Sequence, residues 1–303
     1  MRIVSLLPSA TEIVYALGLE EQLVGVSCDC DYPLGVSSKP VVSRSALTTD
    51  DNSTPASIDE EVRASMSASE PLYRIDRDLV RELQPDLILA QDLCRVCAVP
   101  SGHVTEALAT IGCTSTVLSL DPKGLSDVID DIEEVARVAS SGIGGAQLLQ
   151  SLRDRIEAVR SATAQVEPVG VLALEWADPP FTGGHWIPEM VGLAGGEEVL
   201  GVAGAPSRSS TWTEIARAEP EVVVFMPCGF GLDEALEQVS GLYEVPEFAA
   251  LPAARNGRVV AVDGSSYFSR PGPRLVDGLE ILAWAIHPNL FAEPPGGRAQ
   301  LLT

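Results

Sequence analysis

Five of the six cysteines stand just after predicted strands, and thiols in such positions could bind a soft metal or cycle between redox states. These thiols are Cys28, Cys30, Cys94, Cys97 and Cys228. In a largely parallel sheet, ligands gather at the carboxyl ends of the strands. We therefore expect the five thiols to face one shared groove, whereas Cys113 lies in a helix-to-strand connection and is expected in the core.

The spacing of Cys94-x-x-Cys97 suits a thiolate metal site or a redox pair, and Cys30 could supply a third sulfur. Two other interpretations stay open at this point. The cysteines could be small, half-buried thiols that line an apolar wall, or two of them could form a disulfide.

His185 is the histidine best placed to contact a ligand, because it follows the first strand of the second half and has Trp176 and Trp186 close in sequence. An imidazole at such a position could be an axial metal ligand, and a helix-capping or packing role is the alternative. The candidate metal ligands are therefore Cys30, Cys94, Cys97 and His185. His103 and His287 are expected at the surface or at helix ends.

Tyr267, Phe268 and Arg270 precede a rigid Pro-Gly-Pro turn. Two rings and a guanidinium fit a flat or anionic ligand by stacking and bidentate hydrogen bonding. A packed corner, with Arg270 paired to an acid, explains the same residues equally well. No nucleophile elbow, phosphate-binding loop, zinc-protease helix or dinucleotide motif is present in the sequence. We therefore expect no enzyme and no catalytic cofactor.

The elements that position these residues occur twice. Ile75 to Gln91 and Ser210 to Pro227 each predict a short helix, a Pro beside an acid, and a strand. Each copy is preceded by another strand and helix, and Ser9-x-x-Glu12 has the form of a capping box for the first of these helices. The sequence predicts an α/β protein with two Rossmann-like lobes, mostly parallel sheets and a cleft between the lobes.

We predict a first lobe at residues 1–122, with an insertion near 44–73, and a second lobe at 167–303. Between them, residues 123–166 have a helical pattern with a break near Ser140 to Gly145. The second part of this segment predicts one long rigid helix that joins the lobes.

Charge and hydropathy narrow the range of partners. A formal charge of −23, from 43 acids and 20 bases, repels phosphate backbones, so we expect no nucleic acid partner. No apolar run is long enough to insert in a membrane. Since Met1-Arg2 leads straight into a strand without a signal peptide, the sequence as it stands predicts a cytoplasmic protein, or an extracytoplasmic one if a signal was removed. We expect a monomer.

Several segments in the same order resemble the class III substrate-binding proteins of ABC importers, and most closely their cobalamin-binding group. The matching pieces are Leu7 to Glu12, Val24 to Ser27, Asp31 to Pro33, Gln84 to Ile88, Asp178 to Gly184 and Phe268 to Arg274. The resemblance implies two α/β lobes joined by a long helix, with the ligand held in a shallow cleft.

The resemblance also implies individual roles. Arg270 matches a ligand-side Arg of the cobalamin binders, and Tyr267 matches a neighbouring aromatic residue. Asp29 stands where those proteins place an aromatic residue, and Ser266 stands where they place an acid. Docking on an ABC permease is implied through an acid on each lobe. The first position falls on Asp78, and the second falls on Thr213, with the acid Glu214 adjacent.

The leading hypothesis is a non-enzymatic binding protein for a corrinoid such as cobalamin, or for a related metal chelate. A thiol or metal redox enzyme that uses Cys94 and Cys97, or a binder of a bare metal ion or iron siderophore, is the alternative. The candidate ligand contacts are Cys28, Asp29, Cys30, Tyr32, Asp92, Leu93, Cys94, Cys97, Trp176, His185, Trp186, Cys228, Tyr267, Phe268 and Arg270.

Overall fold

The computed structural model describes residues 1–47, 54–68, 72–92, 101–111 and 114–302. The chain divides into two compact units. Unit 1 comprises Met1–Asp121 and Ile129–Leu149, and unit 2 comprises Pro122–Val128 and Gln150–Thr303. The domain boundaries drawn above at residues 122 and 166 stay predictions.

Unit 1 contains a six-stranded sheet with helices packed against it. Its elements in chain order are β1 (Ile3–Ser5), α1 (Pro8–Ala16), β2 (Leu23–Ser27), β3 (Val41–Ser45), α2 (Pro55–Ser67), β4 (Tyr73–Ile75), α3 (Arg77–Leu83), β5 (Leu87–Ala90), α4 (Ser101–Ile111) and β6 (Thr116–Ser119). The strand order is β4-β3-β2-β1-β5-β6, and every pair is parallel except β3 with β4. The carboxyl ends of five strands therefore meet at one edge.

The first helix of unit 1 begins earlier than the capping-box prediction requires. Leu7 is the N-cap of α1 without a side-chain hydrogen bond, and Pro8 occupies the first turn. Proline is favoured there because its missing N–H would have no intrahelical partner. Ser9 and Glu12 consequently lie inside the helix, both buried, and the capping-box prediction is wrong.

Two helices follow β6 in the segment where one break was predicted. They are α5 (Leu125–Val138) and α6 (Ile143–Thr163). In α5 the buried positions Leu125, Val128, Ile132 and Val135 recur every three or four residues, as expected for a helix with one apolar face. The 21-residue α6 is the long helix that the sequence predicts.

Unit 2 contains a seven-stranded sheet with more antiparallel pairing than the sequence suggests. Its elements are β7 (Val169–Ala177), β8 (Pro180–Thr182), α7 (Ile187–Leu193), β9 (Gly196–Glu198), β10 (Arg208–Ser209), α8 (Trp212–Ala218), β11 (Val222–Phe225), α9 (Leu232–Leu242), α10 (Pro246–Ala249), α11 (Pro252–Arg255), β12 (Val259–Val262), α12 (Gly264–Tyr267), α13 (Leu275–Ile286) and β13 (Ala299–Leu302). No described helix is both long and apolar enough to cross a bilayer.

The strand order of unit 2 is β10-β8-β7-β11-β12-β13, with β9 also paired to β7. The central strands β7, β11 and β12 are parallel, and the outer pairs β7–β8, β8–β10 and β12–β13 are antiparallel. The prediction of an α/β protein with mostly parallel sheets is confirmed, and the antiparallel pairs of this sheet lie toward its two edges. Strands of two to four residues carry too little periodicity to be recognised in a sequence.

Candidate functional site

Cys28 lies just beyond the end of β2 and has an exposed thiol. Its Sγ donates to Asp29 Oδ1 at 3.4 Å, and the Ser45 N–H donates to the same sulfur at 3.4 Å. Desolvation by neighbouring atoms raises the pKa of this thiol, and the Asp29 carboxylate adds to the effect. Cys28 is therefore mostly a neutral thiol near pH 7. In the same loop, Tyr32 is 47% exposed.

Cys30 turns into unit 1 instead of facing solvent. Its thiol is buried, with Sγ 3.1 Å from the Thr11 hydroxyl, which donates to Ser5 Oγ at 2.8 Å. The sulfur thus already has a partner from α1. The role of Cys30 as a metal ligand stays a prediction.

Polar groups also line the carboxyl edge of β1, β2 and β3. Ser5, Ser27 and Ser43 are each at most 1% exposed, and the Ser43 hydroxyl has no hydrogen-bond partner within the described ranges. Ser27 pairs with Ser43 in the β2–β3 register. The edge of unit 1 is therefore lined by small hydroxyl side chains.

Asp92 follows β5 and lies beside the end of β6. Its backbone N–H donates to Asp121 Oδ1 at 2.6 Å, and Ser119 Oγ donates to Asp92 Oδ2 at 3.1 Å. The predicted contacts Leu93, Cys94 and Cys97 lie outside the described residues, as does Cys113. Among the residues that are described, no group of three His, Cys, Asp or Glu side chains could hold a metal ion.

Trp176 and Phe230 form an aromatic pair at the carboxyl end of β7 and β11. Their ring centroids are 5.6 Å apart, and the rings are tilted by 46°. Cys228 follows β11, its thiol is exposed, and its backbone N–H donates to the Glu175 carbonyl at 3.2 Å. Unit 2 therefore has an aromatic edge with a soft sulfur donor at the position where ligands of parallel sheets bind.

The Glu175 carboxyl lies among protein atoms directly below this edge. Its two oxygens accept from the Ser207 hydroxyl and from the Gly184 N–H, the latter at 3.4 Å. The residue keeps some accessible surface, but desolvation of the carboxyl dominates and raises its pKa to about 8. The nearby Cys228 and Glu198 also contribute to the shift.

Glu198 is a second acid with a raised pKa near this edge. Its carboxylate accepts from the backbone N–H groups of Ala173, Leu200 and Gly201 at 2.9 to 3.2 Å. Burial raises its pKa to about 7 against the effect of these hydrogen bonds. Glu198 thereby anchors the chain that follows β9 to the central strand β7.

His185 adopts the left-handed backbone conformation, with φ of +50°. Its N–H donates to the Ala205 carbonyl at 2.6 Å, and its carbonyl accepts from the Gly204 N–H at 2.9 Å. The half-buried ring lies beside Trp186, with centroids 5.6 Å apart. Desolvation lowers the pKa of His185, so the imidazole is neutral at pH 7, which is the form that binds metals.

Trp186 and Phe268 are buried beneath the surface, at 6% and 2% exposure. The indole Nε1 of Trp186 donates to the Phe268 carbonyl at 2.8 Å, which connects the His185 segment to the loop after α12. These two residues support the shape of the site, and their direct contact with a ligand stays a prediction.

Tyr267 has its ring near two guanidinium groups, with Arg298 Cζ at 5.1 Å and Arg274 Cζ at 5.6 Å from the centroid. Arg270 Nη2 donates to Ser265 Oγ at 3.3 Å. Tyr267 therefore packs against two cationic side chains, and both the packed-corner interpretation and the ligand contact stay predictions. Arg270 is partly exposed.

The two predicted docking acids lie at matching helix starts. Asp78 in the first turn of α3 is paired with Arg81 at 2.8 Å, and its side chain is 89% exposed. Glu214 in the first turn of α8 is paired with Arg208 at 2.8 Å and accepts from the Ser210 hydroxyl at 2.8 Å. Both acids remain accessible at the surface.

Sequence reasoning missed Glu175, Glu198 and Ser207. Glu175 left a readable signal, because it is the only charged residue in the strand sequence VGVLALEWA of β7. A charge within a buried strand is costly unless it has partners. Glu198 and Ser207 gave no comparable signal, because Glu198 stands beside a second acid after two glycines and Ser207 begins a Ser-rich stretch, where polar residues are ordinary.

A family model described as "Periplasmic binding protein" matches residues 3–265. Among curated proteins, the Vitamin B12-binding protein of Vibrio cholerae is 26% identical over 282 residues, which cover 92% of this chain and 86% of the relative. The match spans nearly the whole chain.

Two solved structures confirm the two-lobed α/β fold. The periplasmic heme-binding protein RhuT from Roseiflexus sp. RS-1 has a TM-score of 0.70 at 24% identity, covering 95% of this chain and 98% of that one. The periplasmic vitamin B12 binding protein BtuF of Vibrio cholerae has a TM-score of 0.69 at 24% identity, covering 95% and 96%. Proteins with different ligands therefore share this fold.

Proposed function

The chain belongs to the periplasmic binding protein family, and on this premise we propose that it binds a cobalt corrinoid or a closely related metal chelate without chemical conversion. The observation that carries the proposal is the aromatic edge of unit 2. There the Trp176–Phe230 pair offers aromatic ring surface for stacking, and the exposed Cys228 thiol offers a soft donor at the same strand end.

The neutral imidazole of His185 adds a second donor suited to cobalt or iron. Flat chelates present a large apolar face, so stacking on an indole contributes to affinity through apolar burial and ring geometry. The relative named for vitamin B12 supports a corrinoid over other chelates. A heme is the alternative, favoured by the fold neighbour that is named for heme.

The test is a titration of the purified chain with aquocobalamin and, separately, with hemin. A corrinoid binder changes the visible spectrum of aquocobalamin and comigrates with it on gel filtration, because a protein donor replaces the cobalt-bound water. His185→Ala and Cys228→Ser should abolish or shift that change. His287→Ala is the control for the histidine, since it removes an imidazole that is not a predicted ligand contact and whose Nε2 lies 3.0 Å from the Gly195 carbonyl.

If the chain binds hemin but not aquocobalamin, the proposed ligand is a heme and not a corrinoid. No spectral change and no comigration with either chelate would reject the proposal altogether.

The proposed partner is an ABC permease, to which the family delivers its ligands. Asp78 and Glu214 are the proposed contacts, because each is an exposed acid in the first turn of a corresponding helix. Asp78→Ala and Glu214→Ala should each weaken binding to permease in detergent, with ligand affinity unchanged. If both variants bind the permease as tightly as the unaltered chain does, these two acids are not part of the interface. A location outside the cytoplasmic membrane follows from this role, and it remains part of the proposal.

A further inference from the structure

The Glu175 carboxyl joins two loops of unit 2 that are separated in the chain by α7 and β9. We call residues 183–186 the His185 loop and residues 199–207 the Ser207 loop. One Glu175 oxygen accepts from Gly184 in the first loop, and the other accepts from Ser207 in the second. Glu175 itself lies on β7, which is paired with a strand on each side, so both loops are attached to an interior strand of the sheet.

The two loops also bond directly to each other. The His185 N–H donates to Ala205, and the Gly204 N–H donates to the His185 carbonyl. These hydrogen bonds hold His185 at its positive φ, a conformation that costs a non-glycine residue free energy. The backbone conformation of His185 is therefore stabilised by its hydrogen bonds to the other loop and not by the intrinsic φ preference of the residue.

The backbones of the two loops approach each other too closely at Gly184 for a side chain to fit there. A Cβ at Gly184 would lie 2.2 Å from Ser207 N and 2.6 Å from the Pro206 carbonyl carbon. Glu198 fixes the start of the Ser207 loop through Leu200 and Gly201. Release of either loop from Glu175 would consequently move the other.

An apolar side chain would fill this position on β7 at a lower desolvation cost than a carboxyl does. A carboxyl group has two oxygens, so it can form a hydrogen bond to each of the two loops at the same time. We propose that Glu175 is a positioning residue of the ligand site, which sets the orientation of the His185 imidazole by bonding the His185 loop to the Ser207 loop. Its effect on ligand binding rests on the proposed function, whereas its effect on His185 does not.

The test without ligand follows the His185 ring by NMR at fixed pH. In Glu175→Ala the ring C–H signal of His185 should shift and broaden, because the loop loses its anchor. The signal of His287 is the internal control, since that ring contacts the Gly195 carbonyl in the same unit through Nε2. Glu175→Gln should restore most of the original signal, because the amide can accept from one loop and donate to the Ser207 hydroxyl.

A folded Glu175→Ala variant with an unchanged His185 signal would overturn the proposal, as would equal shifts of His185 and His287. If Glu175→Ala does not fold, Ser207→Ala decides the question, because it removes only the hydroxyl that contacts the carboxyl. The expected result is again a shift of His185 alone, and no shift counts against the proposal.

The ligand readout is the affinity for aquocobalamin. Removal of a group that orients a metal ligand typically costs about tenfold or more in affinity, and we expect that loss in Glu175→Ala with rescue by Glu175→Gln. Equal losses in the Ala and Gln variants would contradict positioning by hydrogen bonds. If the unaltered chain binds no corrinoid, the proposed function fails, while the NMR result still decides the role of Glu175.

Discussion

The pairs α3–β5 and α8–β11 share one backbone design but lead into edges of different chemistry. In each pair a side chain caps a seven-residue helix, since Asp76 accepts from Leu79 N and Thr211 accepts from Glu214 N. Each helix ends in a left-handed residue that is not glycine, Gln84 or Glu219, followed by Pro and a buried four-residue strand.

Beyond the strands the likeness ends. The edge of unit 1 has buried serines and the internally bonded Cys30, whereas the edge of unit 2 has Trp176, Phe230 and a carboxyl with raised pKa. The repeated part sets the fold, and the residues after the strands set the chemistry. A change in the repeated part should therefore affect stability, and a change at the edges should affect binding.

A substitution in the strand that ends each pair should give the largest difference in the free energy of unfolding between the two units. Phe225 is fully buried in the core of unit 2, and the corresponding last residue of β5 is Ala90. Phe225→Ala should lower the free energy of unfolding of unit 2 by about 3–5 kcal/mol, through lost burial and a cavity. Urea denaturation followed by tryptophan fluorescence measures this, because all four tryptophans lie in unit 2.

The matched control is Leu89→Ala in β5, which creates a cavity in unit 1, the unit that contains no tryptophan. A smaller change in the fluorescence transition is expected for it. Equal effects of both variants on that transition would show that the units unfold together. The stabilities of the two units could then not be compared separately.

The raised pKa values of the acids at the edge of unit 2 predict that stability decreases as pH rises toward 8. Glu175 has a pKa raised from 4.5 to about 8, so the folded chain keeps a proton that the unfolded chain releases. Stability from this group is therefore complete below pH 4.5 and is lost as pH rises to about 8. At about 1.4 kcal/mol per pKa unit, the loss is on the order of 3 kcal/mol after allowance for partial hydration.

Glu175→Gln should flatten the pH dependence of the fluorescence transition between pH 5 and pH 9, a range chosen to bracket the pKa of about 8. Glu198→Gln should flatten it less, because the pKa of Glu198 is raised only to about 7. A pH profile identical to that of the unaltered chain in Glu175→Gln would contradict the assignment of the raised pKa.

The helix caps give the smallest expected effect and the closest match between the units. Asp76→Ala and Thr211→Ala should each cost about 1 kcal/mol, because each leaves an N–H of the first helical turn without its acceptor. Hydrogen exchange of the α3 and α8 peptides measures the loss separately in each helix. Asp76→Asn and Thr211→Ser keep an acceptor and should restore protection, and a loss as large as in the Ala variants would mean that capping is not the cause.

Much of the fold could be predicted because it depends on local patterns. The copies could be read from Ile75 to Gln91 and Ser210 to Pro227, where apolar runs and Pro mark the elements. The start of α1 could not be predicted, because two patterns give different starts. Pro8 favours a helix that begins after Leu7, whereas the capping-box pattern favours one that begins after Ser9. The edge strands β8, β10 and β13 depend on pairing partners distant in sequence.

The candidate site was predictable in part. The end of β11 located Cys228, since strand ends follow from the apolar runs, whereas Trp176 was predicted only from its closeness to His185 in sequence and lies within β7. The inward turn of Cys30 toward Thr11 and the bridge between Glu175 and Ser207 arise from side-chain directions that a linear pattern does not contain. Predicted contacts at Leu93, Cys94 and Cys97 lie outside the described residues and remain predictions.

The absence of a side chain at Gly184 limits how this protein can be engineered. Because the backbone there touches Ser207 and Pro206 directly, a graft of a new recognition loop from another binder would have to transplant both segments together. A library that randomises only one of them would contain few folded members. Paired exchange of residues 183–186 and 199–207 is the smallest unit of redesign at this edge.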